Sequence, residues 1–239
     1  MIDHKLVYQQ EADCYQRLVA REDYQGNLLP SIQKIIQFEG LDVVDLGSGT
    51  GRLARLFLPT ARNVYAFDTS VPMLGVAVDL FEKISRDRWL AAGADHRAIP
   101  LPRESADLIF SGWSFCYLVV WEGPQWESAL VRGLKELKRV LRKEGMVILI
   151  ETMGTGVLQP HPPEKLVPYF NFLEDHGFDK TWIRTDYKFE SLDEAYELVE
   201  FFFGEEMLPK IIQAPQPILP ECTGIWWSDK SSPQTWKER

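Results

Sequence analysis

The seven residues Asp45-Leu46-Gly47-Ser48-Gly49-Thr50-Gly51 constrain this chain more than any others. They follow a largely apolar run, residues 41–44, that reads as a buried strand. They lead into Arg52-Leu53-Ala54-Arg55-Leu56-Phe57-Leu58, which reads as the start of a helix. A strand, a tight glycine turn and a helix N-terminus in that order make a site for a nucleotide-like ligand. Gly47, Gly49 and Gly51 allow the backbone to take positive φ and approach that ligand closely.

The spacing of the glycines and the acid before them narrow the ligand. A dinucleotide fingerprint needs G-x-G-x-x-G with a pyrophosphate on the helix N-terminus. Counting from Gly47, the third position is Arg52. Counting from Gly49, the pattern is Gly49-x-Gly51-x-x-Ala54, a tolerable variant. A nicotinamide dinucleotide is therefore weakened without being excluded. The carboxylate of Asp45 at the strand end argues further against it, because it would repel a pyrophosphate and suit an ammonium group instead.

A second strand reads from Asn63-Val64-Tyr65-Ala66-Phe67-Asp68, which alternates and is rich in aromatic and β-branched residues. Asp68 closes it about twenty residues beyond the glycine turn, the spacing at which an acid meets ribose hydroxyls in such sheets. A carboxylate accepts both hydrogen bonds of a vicinal diol. Thr69 or Ser70 then caps a helix with Pro72 in its first turn. Met73 lies in that turn, where it can pack on an adenine face.

Val43-Val44-Asp45-Leu46-Gly47-Ser48-Gly49-Thr50-Gly51 resembles the first motif of the class I S-adenosylmethionine-dependent methyltransferases. The resemblance runs over roughly residues 41–151 and extends more loosely to both ends. It implies an α/β fold: a doubly wound, Rossmann-like, mostly parallel seven-stranded sheet with an antiparallel C-terminal edge strand and helices on both faces. It implies S-adenosyl-L-methionine as cofactor and S-adenosyl-L-homocysteine as product. Asp45, Gly47, Ser48, Gly49, Asp68, Thr69 and Met73 are then the expected cofactor residues around the turn. In Gly93-Ala94-Asp95-His96-Arg97-Ala98-Ile99-Pro100-Leu101-Pro102 the resemblance assigns Asp95 to the adenine amino group, with Ala94 and His96 lining the base pocket. Related small methyltransferases often fold an N-terminal segment over the cofactor, which makes Tyr15 and Arg21 candidates for the methionine carboxylate.

The fourth strand reads from Asp107-Leu108-Ile109-Phe110. Ligands of open α/β sheets lie beyond the carboxyl ends of the strands, so Ser111, Gly112 and Trp113 are expected near the reacting methyl. Asp107 reads as structural, pairing backbone or an arginine at the strand start. Trp113 and Tyr117, with Phe115 and Trp121, are the candidate substrate residues; as aromatic walls they suit apolar or cationic groups, and they equally suit a plain core. Leu130, Leu134, Leu137 and Leu141 share one face of an amphipathic helix, and Met146 begins another buried strand. Beyond Glu151, residues 153–168 read as a long Gly- and Pro-rich loop. A helix follows over 165–176, a strand over 182–189, a helix opened by a Ser191 to Glu194 capping box, and a last strand over 217–227.

At 239 residues the chain suits one α/β unit, read as a 1–40 helical cap, a 41–151 cofactor core and a 152–239 substrate-side part. Its net charge is −9 and its pI near 5.0, with no basic stripe, so a nucleic-acid substrate is disfavoured. No apolar run is long enough for a membrane span, and three scattered cysteines suit a reducing cytosol. Four histidines without ligand spacing give no case for a metal. The expected partner is a small-molecule methyl acceptor. Methyl transfer is an in-line displacement that asks mostly for geometry, with a base only for a protonated nucleophile. His96, His161, His176, Glu151 and Tyr117 are all possible bases and the sequence selects none, so no catalytic residue is assigned. Two alternatives stay open here: an NAD(P)-binding oxidoreductase, and an S-adenosylmethionine-binding module without catalysis.

Overall fold

Long β-branched and apolar runs separated by helical periodicity form parallel strands covered on both faces. In the computed structural model, which describes residues 2–231, three short helices come first: α1 (His4–Gln10), α2 (Ala12–Val19) and α3 (Leu28–Ile35). The alternation continues with β1 (Asp42–Leu46), α4 (Ala54–Phe57), β2 (Asn63–Asp68), α5 (Val71–Phe81), β3 (Trp89–Gly93), β4 (Ala106–Gly112), α6 (Tyr117–Val120), α7 (Trp126–Val140) and β5 (Leu141–Thr155). Then come α8 (Val167–Asp175), β6 (Asp179–Arg184), β7 (Tyr187–Lys188), α9 (Leu192–Phe203), β8 (Ile218–Leu219) and β9 (Glu221–Asp229).

The main sheet has seven strands in the order β3-β2-β1-β4-β5-β9-β6. The first five are parallel, and β9 runs antiparallel to both β5 and β6. This is the expected Rossmann-like architecture. Its antiparallel C-terminal strand lies between two neighbours, so β6 forms the edge. A separate antiparallel pair joins β7 to β8.

The period-2 alternation of the strands divides the interior into two layers. Val44, Ile109, Val147, Leu149 and Trp226 face α6, α7 and α8. Val43, Leu108, Ile148, Ile150 and Ile225 face α3, α4 and α5. A third cluster packs Leu18 of α2 against β7, β8 and α9, tying the N-terminal helices to the C-terminal part. At the amino ends of the strands, Asp42 and Asp107 share Arg62 and Arg142. Asp107 also accepts the Asp42 N–H at 2.8 Å, the structural role expected of it.

Several element boundaries differ from the sequence reading. The helix after the glycine turn is only the four residues of α4. The strand β3 is rich in alanine and half-exposed, so it carries little pattern; its pairing with β2 makes it a strand. The strand expected over 182–189 breaks after Arg184, whose guanidinium turns back onto Asp186 at 2.8 Å, and β7 leaves for another sheet. The strand β5 continues to Thr155, into the segment read as loop. Ser70 is the cap of α5, its Oγ accepting the Met73 N–H, and Ser191 caps α9 likewise.

Gly51 takes φ +78°, and a methyl group on its α-carbon would run into the Phe81 ring of α5. Gly51→Ala should therefore cost about 2 kcal/mol or more, from left-handed strain and overpacking together. Urea unfolding measures this; an unchanged midpoint would contradict the packing described.

Candidate active site

The carboxyl ends of β1, β2 and β4 open into a cavity of about 410 Å³. Its floor is the glycine turn. Gly47 and Ser48 donate their N–H groups to the Phe67 carbonyl at 2.7 and 2.9 Å, so the turn is laced to the end of β2. Gly47 takes φ +72°, and a side chain there would fall on Ser114 and on His96 Nε2. A methyl group on Gly49 would come within 3.4 Å of the Met73 methyl and 3.9 Å of the Tyr15 ring. Gly51 does not line the cavity and packs on Phe81 instead. A dinucleotide reading of Gly49-x-Gly51-x-x-Ala54 needs Gly51 at the pyrophosphate, so the structure speaks against it.

Two carboxyls flank this turn. Asp68 accepts the Gly49 N–H on Oδ2 at 2.8 Å and the Ser70 N–H on Oδ1 at 2.7 Å. Burial raises its pKa against the pull of those amides. Asp45 is 1% exposed and accepts the Ala54 N–H at 2.8 Å, tying β1 to α4. Burial, with the nearby Asp68 charge, lifts its pKa to about 7.

Asp95 lies in the wall with both oxygens gripped by the Arg97 guanidinium at 2.7 Å, which lowers its pKa. Arg97 also reaches Glu122 at 2.6 Å. His96 is half-buried, with Nε2 at 3.0 Å from Ser114 Oγ; desolvation takes its pKa down to about 4, so the ring is neutral at pH 7. Trp113 has φ +50°, a costly conformation for a bulky residue, and is held by its N–H to the Ile150 carbonyl at 2.6 Å. The Arg52 guanidinium stands 4.0 Å from its ring centroid.

Of the expected residues, Tyr15, Asp45, Gly47, Ser48, Gly49, Asp68, Thr69, Met73, Asp95, His96, Trp113 and Tyr117 all line the cavity. Three others do not. Arg21 is captured by Glu190 and Glu194 at the start of α9, at 2.7 Å each. Arg52, the residue after the glycine turn, does line the cavity and is ion-paired with buried Glu22. Ala94 donates its N–H to the Asp68 carbonyl at 3.0 Å and packs its methyl against the core. Ser111 is fully buried in β4, beneath the cavity lining. Among the possible bases, Glu151 is buried outside the cavity and accepts the Cys116 N–H at 2.9 Å; His161 and His176 also lie outside.

The sequence reading missed a whole wall. Lys5, Tyr8 and Gln9 of α1 line the cavity, and Ser70 Oγ donates to the Tyr8 carbonyl at 2.6 Å. Tyr8 reads as one more apolar position of an amphipathic face. Only the bend at Glu11, with φ −125° and ψ 35°, turns it inward.

Residues 44–149 match a family model described as a methyltransferase domain. This stretch, which runs from β1 into β5, is similar to a methyltransferase domain. Around this domain the chain is 32% identical over 147 residues to the malonyl-[acyl-carrier protein] O-methyltransferase of Pectobacterium atrosepticum, covering 62% of this chain and 51% of that one. It is 36% identical over 120 residues to the protein of the same name from Serratia marcescens, covering 50% and 41%. The chain thus spans about half the length, or less, of these curated relatives. An S-adenosylmethionine-dependent methyltransferase from Aquifex aeolicus shares the fold with a TM-score of 0.54 at 20% identity, over 84% of this chain and 88% of that one. A phosphoethanolamine N-methyltransferase of Haemonchus contortus, solved with S-adenosylhomocysteine, gives 0.53 at 16% identity, over 92% and 48%.

The turn between β1 and α4 carries a pH signature. Asp45 titrates near 7 when folded and near 4 when unfolded, so between these values the folded state holds a proton that the unfolded state releases. Stability contributed by this group therefore falls as pH rises from 4 to 7. In ligand-free urea titrations, Asp45→Asn should lose less stability across that window than the wild type. Parallel profiles would contradict a protonated buried carboxyl.

Proposed function

We propose that this chain is an S-adenosylmethionine-dependent methyltransferase acting on a small-molecule or acyl-carrier-linked acceptor. The observation that carries the reading is the pair of carboxyls, Asp45 and Asp68, on either side of a glycine turn. Such a turn cradles a nucleoside while repelling a pyrophosphate. The donor set fits S-adenosylmethionine group by group. Asp68 retains acceptor capacity for ribose hydroxyls beside its two amide bonds. Asp45 suits the ammonium group, which would restore its negative charge. Met73 and His96 offer faces for the adenine, and Asp95 takes its amino group alongside Arg97. Gly47, Ser48, Gly49 and Thr69 shape the floor, and Tyr15 closes the methionine side. We assign no such role to Arg21, Ala94 or Ser111.

Bound S-adenosylmethionine supplies an electrophilic methyl group on a sulfonium. The protein's part is to orient the acceptor in line and to exclude water. Trp113, Tyr117 and the α1 wall do this by enclosing the carboxyl end of β4. The relatives are named for acting on a malonyl group attached to a carrier protein, which supports a small or carrier-linked acceptor here. The net charge of −9 speaks against nucleic acid. Among the described residues no helix is long and apolar enough to cross a membrane. Cys14, Cys116 and Cys222 are all unpaired, which supports a reducing cytosol.

Calorimetric titration tests this reading. S-adenosylmethionine and S-adenosylhomocysteine should bind one to one, while NADH gives no heat. Asp68→Ala should weaken binding roughly tenfold or more, the worth of a hydrogen bond to a charged group. Unchanged affinity in both Asp68→Ala and Asp45→Asn would contradict the assignment.

A further inference from the structure

The glycine turn and the residue after it hold three buried polar atoms that have no partner among the described residues. They are Ser48 Oγ, Thr50 Oγ1 and Arg52 Nη2, and all three residues line the pocket. Ser48 is 6% exposed and Thr50 1%. Such atoms cost free energy unless a group in the pocket bonds to them. A hydroxyl can donate or accept, whereas a guanidinium can only donate. The set therefore matches a ligand group made of acceptors, and the charge of Arg52 favours an anion.

Arg52 is set in place before any ligand arrives. Its Nη1 is bonded to buried Glu22, and its guanidinium lies 4.0 Å from the Trp113 ring centroid. Glu22 is itself fixed by the Thr185 hydroxyl at 3.1 Å. The fork is thus held from two sides with Nη2 left over. The other cations lining the pocket are placed elsewhere. Arg97 is divided between Asp95 and Glu122, and Lys5 lies over the Trp121 ring. Asp45 opens the same turn and suits an ammonium group. One short segment thus presents an acceptor for a cation beside donors for an anion. An α-amino acid carries both charges on a single carbon.

We infer that Arg52, with the Ser48 and Thr50 hydroxyls, holds the carboxylate of the cofactor's methionine end and makes the pocket selective for adenosyl ligands with an intact amino acid. The inference rests on the methyl-transfer reading above. Arg52 takes the part that the sequence offered to Arg21, which Glu190 and Glu194 hold at the start of α9. A nucleoside that lacks the carboxylate forfeits these donors and leaves all three unpartnered in a closed pocket floor. A preformed fork loses little freedom on binding, so the contribution of the carboxylate shows directly in affinity.

The test is calorimetry on the full chain with S-adenosylhomocysteine and with its decarboxylated analogue, which keeps the nucleoside and the ammonium group. The wild type should bind the analogue roughly tenfold or more weakly. In Arg52→Gln that preference should largely vanish: S-adenosylhomocysteine weakens while the analogue changes little. General damage to the pocket would weaken both ligands together and leave their ratio intact. The Ser48→Ala/Thr50→Val double variant keeps the ion pair with Glu22 and should narrow the preference by roughly threefold or more. It decides the matter alone if Arg52→Gln does not fold. Arg21→Gln should leave the ratio unchanged; a preference lost there instead would return the carboxylate to Arg21 and overturn the assignment. Equal affinity of the wild type for the two ligands would overturn the inference, as would a preference that survives whole in both pocket variants. If the wild type binds neither ligand, the methyl-transfer reading fails and this inference with it.

Discussion

A single carboxylate, that of Asp68, holds three parts of the fold in register. It ends β2, accepts the Gly49 amide from the turn after β1, and accepts the Ser70 amide at the start of α5. Each amide would otherwise be an orphan donor at the edge of a cavity, and a buried charge would otherwise lack compensation. The two needs cancel. The turn is thereby fixed without a ligand, which makes the cavity a preformed site and lowers the ordering cost of binding. Asp45 repeats the device one strand over by holding the Ala54 amide. Here compensation is a single hydrogen bond, and burial leaves the carboxyl titrating near neutrality.

The cap is joined to this frame by a second buried polar group. Arg52, the residue after the turn, pairs with Glu22 from the N-terminal segment, and Thr185 donates to Glu22 at 3.1 Å. Thr185 in turn meets Thr223 of β9 at 2.6 Å. One network therefore links the N-terminal helices, the glycine turn and the antiparallel strand. It also presses Arg52 on Trp113, the residue with the costly positive φ at the end of β4. The surroundings over-determine that conformation, as expected where backbone strain persists at a functional site.

What could be read from the sequence was local. Asp45, Gly47, Gly49 and Asp68 sit in or directly after strands whose periodicity is plain, and their roles follow from strand-end geometry. Asp95 and His96 were reached through the family resemblance, and they do line the cavity. What could not be read depends on distant segments. Arg21 and Arg52 both suit an anion on paper; the choice was made by Glu190 and Glu194, more than 160 residues further on, which draw Arg21 away. The Tyr8–Tyr117 contact joins residues 109 positions apart and leaves no periodic trace. Ser111 follows the strand pattern to its end, yet the strand runs one residue further and buries it. The antiparallel strand was expected from the resemblance; that β6 would flank it at the edge depends on long-range pairing.

Hydrogen exchange on the full chain with and without S-adenosylhomocysteine would test the central claim most directly. If the glycine turn, the Asp68 corner and α1 enclose the cofactor, ligand should slow exchange in residues 45–52, 68–73 and 5–9 together. Exchange elsewhere in the sheet should change little, because the site is preformed. Slowing produced equally by NADH, or no slowing in the turn at saturating S-adenosylhomocysteine, would contradict the account.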